Sequence, residues 1–179
     1  MRRRIWILPA GLIGVWIEGR GDTSHVIPAL THKIIDAMGG KESAFRRLNE
    51  PTKRNKLEKP DKPVIVWGTG KATREFLYVE DRAEAIFLAA EKYNKPDPAN
   101  IGAGFEISIK ELVELIAKLT GFREEVFWDT SRPDGQPSRK LDISRAEKEF
   151  GSERRCFSKR AFGRRIGWHL SSKQTKETR

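Results

Sequence analysis

The sequence predicts a mixed chain of the α/β or α+β class, and three observations lead there. Short apolar runs of strand type, "RIWIL" (4–8), "VIVW" (64–67) and "EEVFWD" (124–129), are separated by segments whose apolar residues recur at helical spacing. Serine and aspartate stand where helices should begin, and glycine and proline where elements should stop. At 179 residues the chain is long enough for a domain with its own core.

Taken in order, Arg4–Leu8 reads as a strand, followed by a glycine-rich loop through Asp22. Ser24 can cap a helix with Pro28 in its first turn, where a missing N–H costs nothing; Val26, Leu30, Ile34 and Met38 give it an apolar face. Gly39-Gly40 stops it. Residues 41–62 are charged, carry Pro51 and Pro60, and read as a surface insertion with a short helix around Phe45 to Leu48. Val64–Trp67 and Phe76–Val79 read as strands. Asp81 is expected to cap a helix whose inward side is Ala83, Ile86, Phe87, Ala90 and Tyr93. "NIGAG" (100–104) reads as a short strand and turn.

Ser108 and Glu111 form an S-x-x-E capping box for a helix through Leu119, with the stripe Leu112, Leu115, Ile116 and Leu119. After the strand at 124–129, "SRPDGQPSRK" reads as a loop. "SRAEKEF" (144–150) opens with a second box, Ser144 and Glu147. Residues 152–165 have a poor apolar period, and order returns at Ile166.

Composition narrows the function classes. No apolar run approaches the roughly 18 residues of a membrane span, and Ile5–Val15 is broken by Pro9, Gly11 and Gly14 without a clean cleavage site after it. Cys156 is the only cysteine, so no internal disulfide forms and a reducing cytoplasm is the expected location. The net charge of +10 raises nucleic-acid binding, but its distribution argues against it. Residues 1–22 carry +2 and residues 152–179 carry +7, leaving +1 for the 129 residues between.

The glycine motifs do not read as nucleotide loops. "GTGK" (68–71) lacks the G-x-x-x-x-G-K-[ST] spacing of a phosphate loop, and "GAGFEI" (102–107) lacks the third glycine of a dinucleotide fingerprint. His25, His32, His169 and Cys156 have no metal-ligand spacing, and no G-x-S-x-G elbow is present.

The segment "VWGTGKATREFLYVED" (66–81) resembles the extended short-chain dehydrogenase/reductase superfamily, in which such a segment lines a nucleotide-sugar pocket. Together with "SHVIPAL" (24–30), "NIGAG", "ISIKEL" and "RPDG", in that order, residues 8–151 resemble the GDP-L-fucose synthase family. The resemblance implies the α/β class: the C-terminal substrate-binding part of an extended short-chain dehydrogenase, with most of the N-terminal Rossmann domain missing. Residues 1–22 would be a remnant strand and cofactor-side loop, and residues 23–151 the nucleotide-sugar-binding domain with a charged insertion at 41–62. Residues 152–179 would be an irregular basic segment, in which 152–165 resemble a local reading-frame error.

The family epimerises carbons 3 and 5 of GDP-4-dehydro-6-deoxy-D-mannose and reduces carbon 4 with NADPH. The resemblance implies His25 as a catalytic proton donor, a role that suits a side chain titrating near neutrality. It implies Arg74 as the grip on the substrate diphosphate, which a guanidinium can bond in bidentate fashion. Lys33, Trp67 and Asp134 would be further substrate contacts; the ordinary alternatives are a surface ion pair for Arg74 and Lys33, core packing for Trp67 and a turn aspartate for Asp134. Pro9, Ala10, Gly11 and Leu12 align with a loop at the nicotinamide end of NADP(H), and His25 belongs to the same cofactor side. Gly11 stands there in place of the family's asparagine. The G-x-x-G-x-x-G loop and Y-x-x-x-K group of the family do not occur in the sequence.

The expected partners are a GDP-sugar and a separately encoded Rossmann half. Family enzymes are homodimeric. Without the missing groups this chain is expected to show no reductase activity alone. The alternatives are a fragment of another nucleotide-sugar epimerase or dehydratase, and a basic nucleic-acid-binding protein.

Overall fold

The computed structural model describes residues 11–13, 26–49, 62–152, 163–164, 166–167 and 170. Within them the elements run β1 (Gly11–Ile13), α1 (Val26–Ala37), α2 (Lys41–Asn49), β2 (Val64–Trp67), β3 (Thr73–Arg74) and β4 (Phe76–Tyr78). They continue with α3 (Val79–Lys92), β5 (Ile107–Ser108), α4 (Ile109–Thr120), β6 (Val126–Asp129) and α5 (Ser144–Phe150). The expected strand at 4–8, the Ser24 cap and residues 152–165, apart from Ser152, Gly163 and Arg164, lie outside the described residues.

Three two-stranded pairs organise the chain. β2 runs parallel to β6, with Trp67 level with Asp129. β3 runs antiparallel to β5, with Arg74 level with Ile107. β4 runs parallel to β1, with Phe76 level with Gly11. Gly11 and Leu12 are therefore strand residues, and not loop residues as the sequence suggested; the neighbouring strand supplies pairing that local glycine content does not reveal.

β4 separates two cores. Phe76 faces a larger cluster built from Ile27, Leu30, Ile34 and Ile35 of α1, Val64 and Val66 of β2, and Leu112, Val113 and Ile116 of α4. The next residue, Leu77, belongs to a smaller cluster with Ala85, Ala89, Ile101, Ala103, Ala146 and Phe150, as the period-two alternation of a strand requires. Ile166 completes the larger core.

Several local expectations hold. Gly39 and Gly40 take φ of 88° and 95° and end α1, with the Gly40 N–H donating to Ile35 O at 2.9 Å. The Ser108–Glu111 capping box is fully formed, and Gly121 closes α4 in the left-handed conformation.

Others are corrected. α3 begins at Val79, with Tyr78 as its N-cap and no side-chain cap bond, so Asp81 lies in the first turn and does not cap. The fully buried residues of α3 are Ala85 and Ala89, while Ile86 and Tyr93, expected on the inward side, do pack partly buried against the same core. Ala83 and Ala90 are exposed, and Phe87 is 67% exposed. The sequence favoured the bulkier face, whereas small alanines allow close approach to Ile101–Ala103. Asn100–Gly104 is not a strand; Ile101 and Ala103 are buried in a segment without regular structure whose Gly104 N–H donates to Glu75.

The helix expected around Phe45 to Leu48 extends over Lys41–Asn49, and its Ala44 is fully buried in the larger core. Ser144 forms no capping box. Ile143 is the N-cap without a side-chain bond, and the Asp142 carboxylate accepts from the Ser144 N–H at 3.0 Å.

The contrast between the two serines is measurable. Ser108→Ala should cost about 1 kcal/mol, while Ser144→Ala, which removes only an exposed hydroxyl bond to Asp142 and no capping box, should cost less. Urea unfolding of both variants checks the difference.

Candidate active site

β2 ends at Trp67, and the chain then turns through Gly68, with φ of 85°, and Gly70, with φ of 75°. A side chain at Gly68 would fall onto the Asp134 carboxylate, and one at Gly70 would come 2.6 Å from the Trp128 ring. Only glycine allows the loop to lie this close to residues 128–134. The turn delivers the chain into β3, where Arg74 resides.

Around this turn lies an open cleft of about 230 Å³ lined by residues from six segments. α1 supplies Val26, Ala29, Leu30 and Lys33, one face at helical spacing. Trp67, Gly70 and Arg74 come from β2, its turn and β3; Ile109 opens α4, and Pro133 and Asp134 come from the loop after β6. Four residues expected from the sequence to contact substrate, Lys33, Trp67, Arg74 and Asp134, are thus brought to one cleft.

Their immediate partners differ. Trp67 is 47% exposed, and two cations lie over its ring, Lys33 Nζ at 5.2 Å and Arg132 Cζ at 5.1 Å from the centroid. Such contacts each contribute about 0.5–1 kcal/mol at exposed sites. Lys33 Nζ also donates to Ile65 O at 3.3 Å. Arg74 Nη1 donates to Thr73 O at 2.6 Å and to Gln136 O at 2.7 Å. One edge of the guanidinium is thereby anchored on backbone carbonyls, while Nη2 and Nε make no hydrogen bond among the described residues.

Asp134 accepts from the Thr69 N–H at 2.6 Å and the Thr69 hydroxyl at 2.5 Å, so its carboxylate clamps two loops together as well as lining the cleft. Those bonds, first from the Thr69 hydroxyl and then from its N–H, hold the Asp134 carboxyl below the usual carboxylate range.

His25, Pro9 and Ala10 lie outside the described residues. Gly11 and Leu12 sit in β1 against Phe76 and Leu77. The glycine turns that are described do not form a dinucleotide cradle: the Gly104 N–H is bonded to Glu75, and a Cβ at Gly102 would meet the same carboxylate at 2.5 Å. Among the described residues no group of three or more His, Cys, Asp or Glu could hold a metal, and no helix is long and apolar enough to cross a membrane.

Sequence reasoning missed three contributors. Arg132 was visible as the first residue of "RPDG", but its place over Trp67 depends on the loop's path. Thr69 and Glu106 carried no signal, because their partners lie 65 and about 32 residues away.

Residues 5–102, more than half of the chain, match the NAD dependent epimerase/dehydratase family, and the chain belongs to that family. Within it, the chain is 33% identical over 165 residues to a probable GDP-L-fucose synthase 1 of Oryza sativa subsp. japonica, covering 92% of this chain and 44% of that protein. It is 36% identical over 148 residues to a GDP-L-fucose synthase of Escherichia coli (strain K12), covering 78% of this chain and 40% of that one.

Among solved structures, a GDP-6-OMe-4-keto-L-xylo-heptose reductase from C. jejuni superposes with a TM-score of 0.72 at 26% identity, over 92% of this chain and 53% of that one. The chain therefore spans less than half the length of these two curated relatives.

The depressed Asp134 pKa fixes a sign. A carboxyl held below its unfolded value stabilises the fold above about pH 4, and that contribution is lost as pH falls through the folded value. Asp134→Asn should unfold at a lower temperature than wild type near pH 7, with the difference shrinking toward about pH 3. Parallel melts at the two pH values test this.

Proposed function

We propose that this chain is the nucleotide-sugar-binding portion of a GDP-L-fucose synthase, and that the cleft beside Trp67 takes the diphosphate of a GDP-sugar. The observation that carries the reading is the convergence of Lys33, Trp67, Arg74 and Asp134, from four separate segments, on one cleft. The likeness to GDP-L-fucose synthases over most of the chain supports it.

Each described residue has a definite part. Arg74, fixed through Nη1, presents Nη2 and Nε for two phosphate oxygens, and the anchoring removes most of the entropy cost of the grip. Lys33 adds a second positive charge beside the indole, and Trp67 offers a flat, half-exposed wall. Asp134 keeps the Gly68–Gly70 turn against the cleft.

In the proposed substrate the 4-ketone acidifies the neighbouring C–H bonds, so that a base supplied by the rest of the enzyme removes a proton and His25 returns one on the opposite face during epimerisation. NADP(H) would supply hydride for the reduction at carbon 4. The described residues do not fit its pyrophosphate, so no step of the reduction is assigned to them. We infer that the family's dinucleotide-binding portion, encoded separately or contiguously, completes the enzyme, and that it works as a homodimer in the cytoplasm.

Calorimetry with the 179-residue chain tests the reading. GDP should bind more tightly than UDP, and Arg74→Ala should weaken GDP binding by roughly tenfold or more, as loss of charge-assisted bonds implies. Equal heats for wild type and variant would overturn it.

A further inference from the structure

One carboxylate outside the cleft ties together the two segments that hold Arg74. Glu106 lies immediately before β5, whose Ile107 is level with Arg74. Its Oε1 accepts from the Thr73 hydroxyl at 2.9 Å, on the residue that precedes Arg74. The same carboxylate accepts from the Ser138 hydroxyl at 2.8 and 3.0 Å and from the Arg139 N–H at 2.8 Å, two and three residues beyond Gln136. Thr73 and Gln136 supply the two carbonyls that anchor Arg74 Nη1. The Thr73 N–H also donates to Pro137 O at 2.8 Å, which keeps the two segments in register.

We propose that Glu106 is a positioning residue for Arg74: by bonding β3 on one side and residues 138–139 on the other, it sets the spacing of the two carbonyls that aim the guanidinium. The inference rests on the reading of the cleft as a diphosphate site.

The chemistry favours this role. A carboxylate can accept several hydrogen bonds at once, and bonds to a charged acceptor are about twice as strong as neutral ones. Partial burial works against the charge on Glu106, but the bonds from Ser138, Thr73 and Arg139, with Lys140 nearby, outweigh it and hold the carboxyl below its usual range. Glu106 is thus an ionised acceptor at neutral pH. Residues 130–142 carry no helix or strand of their own, so side-chain bonds such as these decide where Gln136 lies. Asp134 to Thr69 and Glu75 to the Leu141 N–H, at 2.8 Å, hold the two ends of the same stretch.

A double-mutant cycle on the full chain tests the proposal, with GDP as the probe in calorimetry. Glu106→Ala should weaken GDP binding roughly tenfold in the wild-type background and produce little further loss in the Arg74→Ala background, because its effect passes through that guanidinium. Glu106→Gln, which retains an acceptor oxygen, should recover most of the affinity. Ser138→Ala, a milder change at the surface, should give a smaller loss in the same direction.

Unchanged affinity, or an equal loss in both backgrounds, would overturn the positioning role. If the wild-type chain shows no GDP binding, the diphosphate reading fails on its own. Glu106 is then judged in ligand-free protein by the Arg74 Nε–H NMR resonance: a shifted or broadened signal in Glu106→Ala supports positioning, and an unchanged signal overturns it.

Discussion

The parallel pairing of β2 with β6 is the constraint on which the rest of the site depends. It joins strands about sixty residues apart and brings Trp67 level with Asp129, so both strands end together. The Gly68 N–H continues the ladder by donating to Asp129 O at 2.9 Å. From that point two loops leave side by side, joined by the Asp134–Thr69 bonds, and both line the cleft. In open α/β sheets ligand crevices lie outside the carboxyl ends of the strands.

Loops without regular pairing of their own must be held by side chains. Carboxylates do this work repeatedly here: Asp134 on Thr69, Glu106 on Thr73, Ser138 and Arg139, and Glu75 on Gly104 and Leu141. Glu75 is only 5% exposed, and a buried carboxylate is tolerated when its oxygens accept from backbone N–H groups. Its two bonds join Gly104 to the segment that starts at Leu141, and both line one pocket. The cationic groups take the complementary position, with Arg74, Lys33 and Arg132 gathered about one indole or its cleft. Negative side chains brace the frame, and positive ones face the opening.

The two cores divide the labour. The larger one fixes α1 and α4 against β2, so Lys33 and Ile109 reach the cleft from rigid helices. The smaller one anchors α3, α5 and the 101–103 segment behind β4. Small residues govern that second core: Ala85, Ala89, Ala103 and Ala146 permit close packing, and the aromatic Phe87 is left outside.

By itself the sequence determined whatever depends on neighbours a few residues apart. The Ser108 capping box, the glycine stop after α1, the α4 stripe and the β2 strand were all legible, because caps and periodic faces are local. The motif order also made Lys33, Trp67, Arg74 and Asp134 legible as a set. Only the tertiary structure decided which face of α3 is buried, that Gly11–Ile13 pairs as a strand, and that Asp142 rather than a capping box serves the start of α5. It alone showed that Arg132 lies over Trp67 and that Thr73 and Gln136 anchor Arg74. Those outcomes are set by contacts between residues tens of positions apart, and no spacing along the chain records which distant carbonyl a guanidinium will meet.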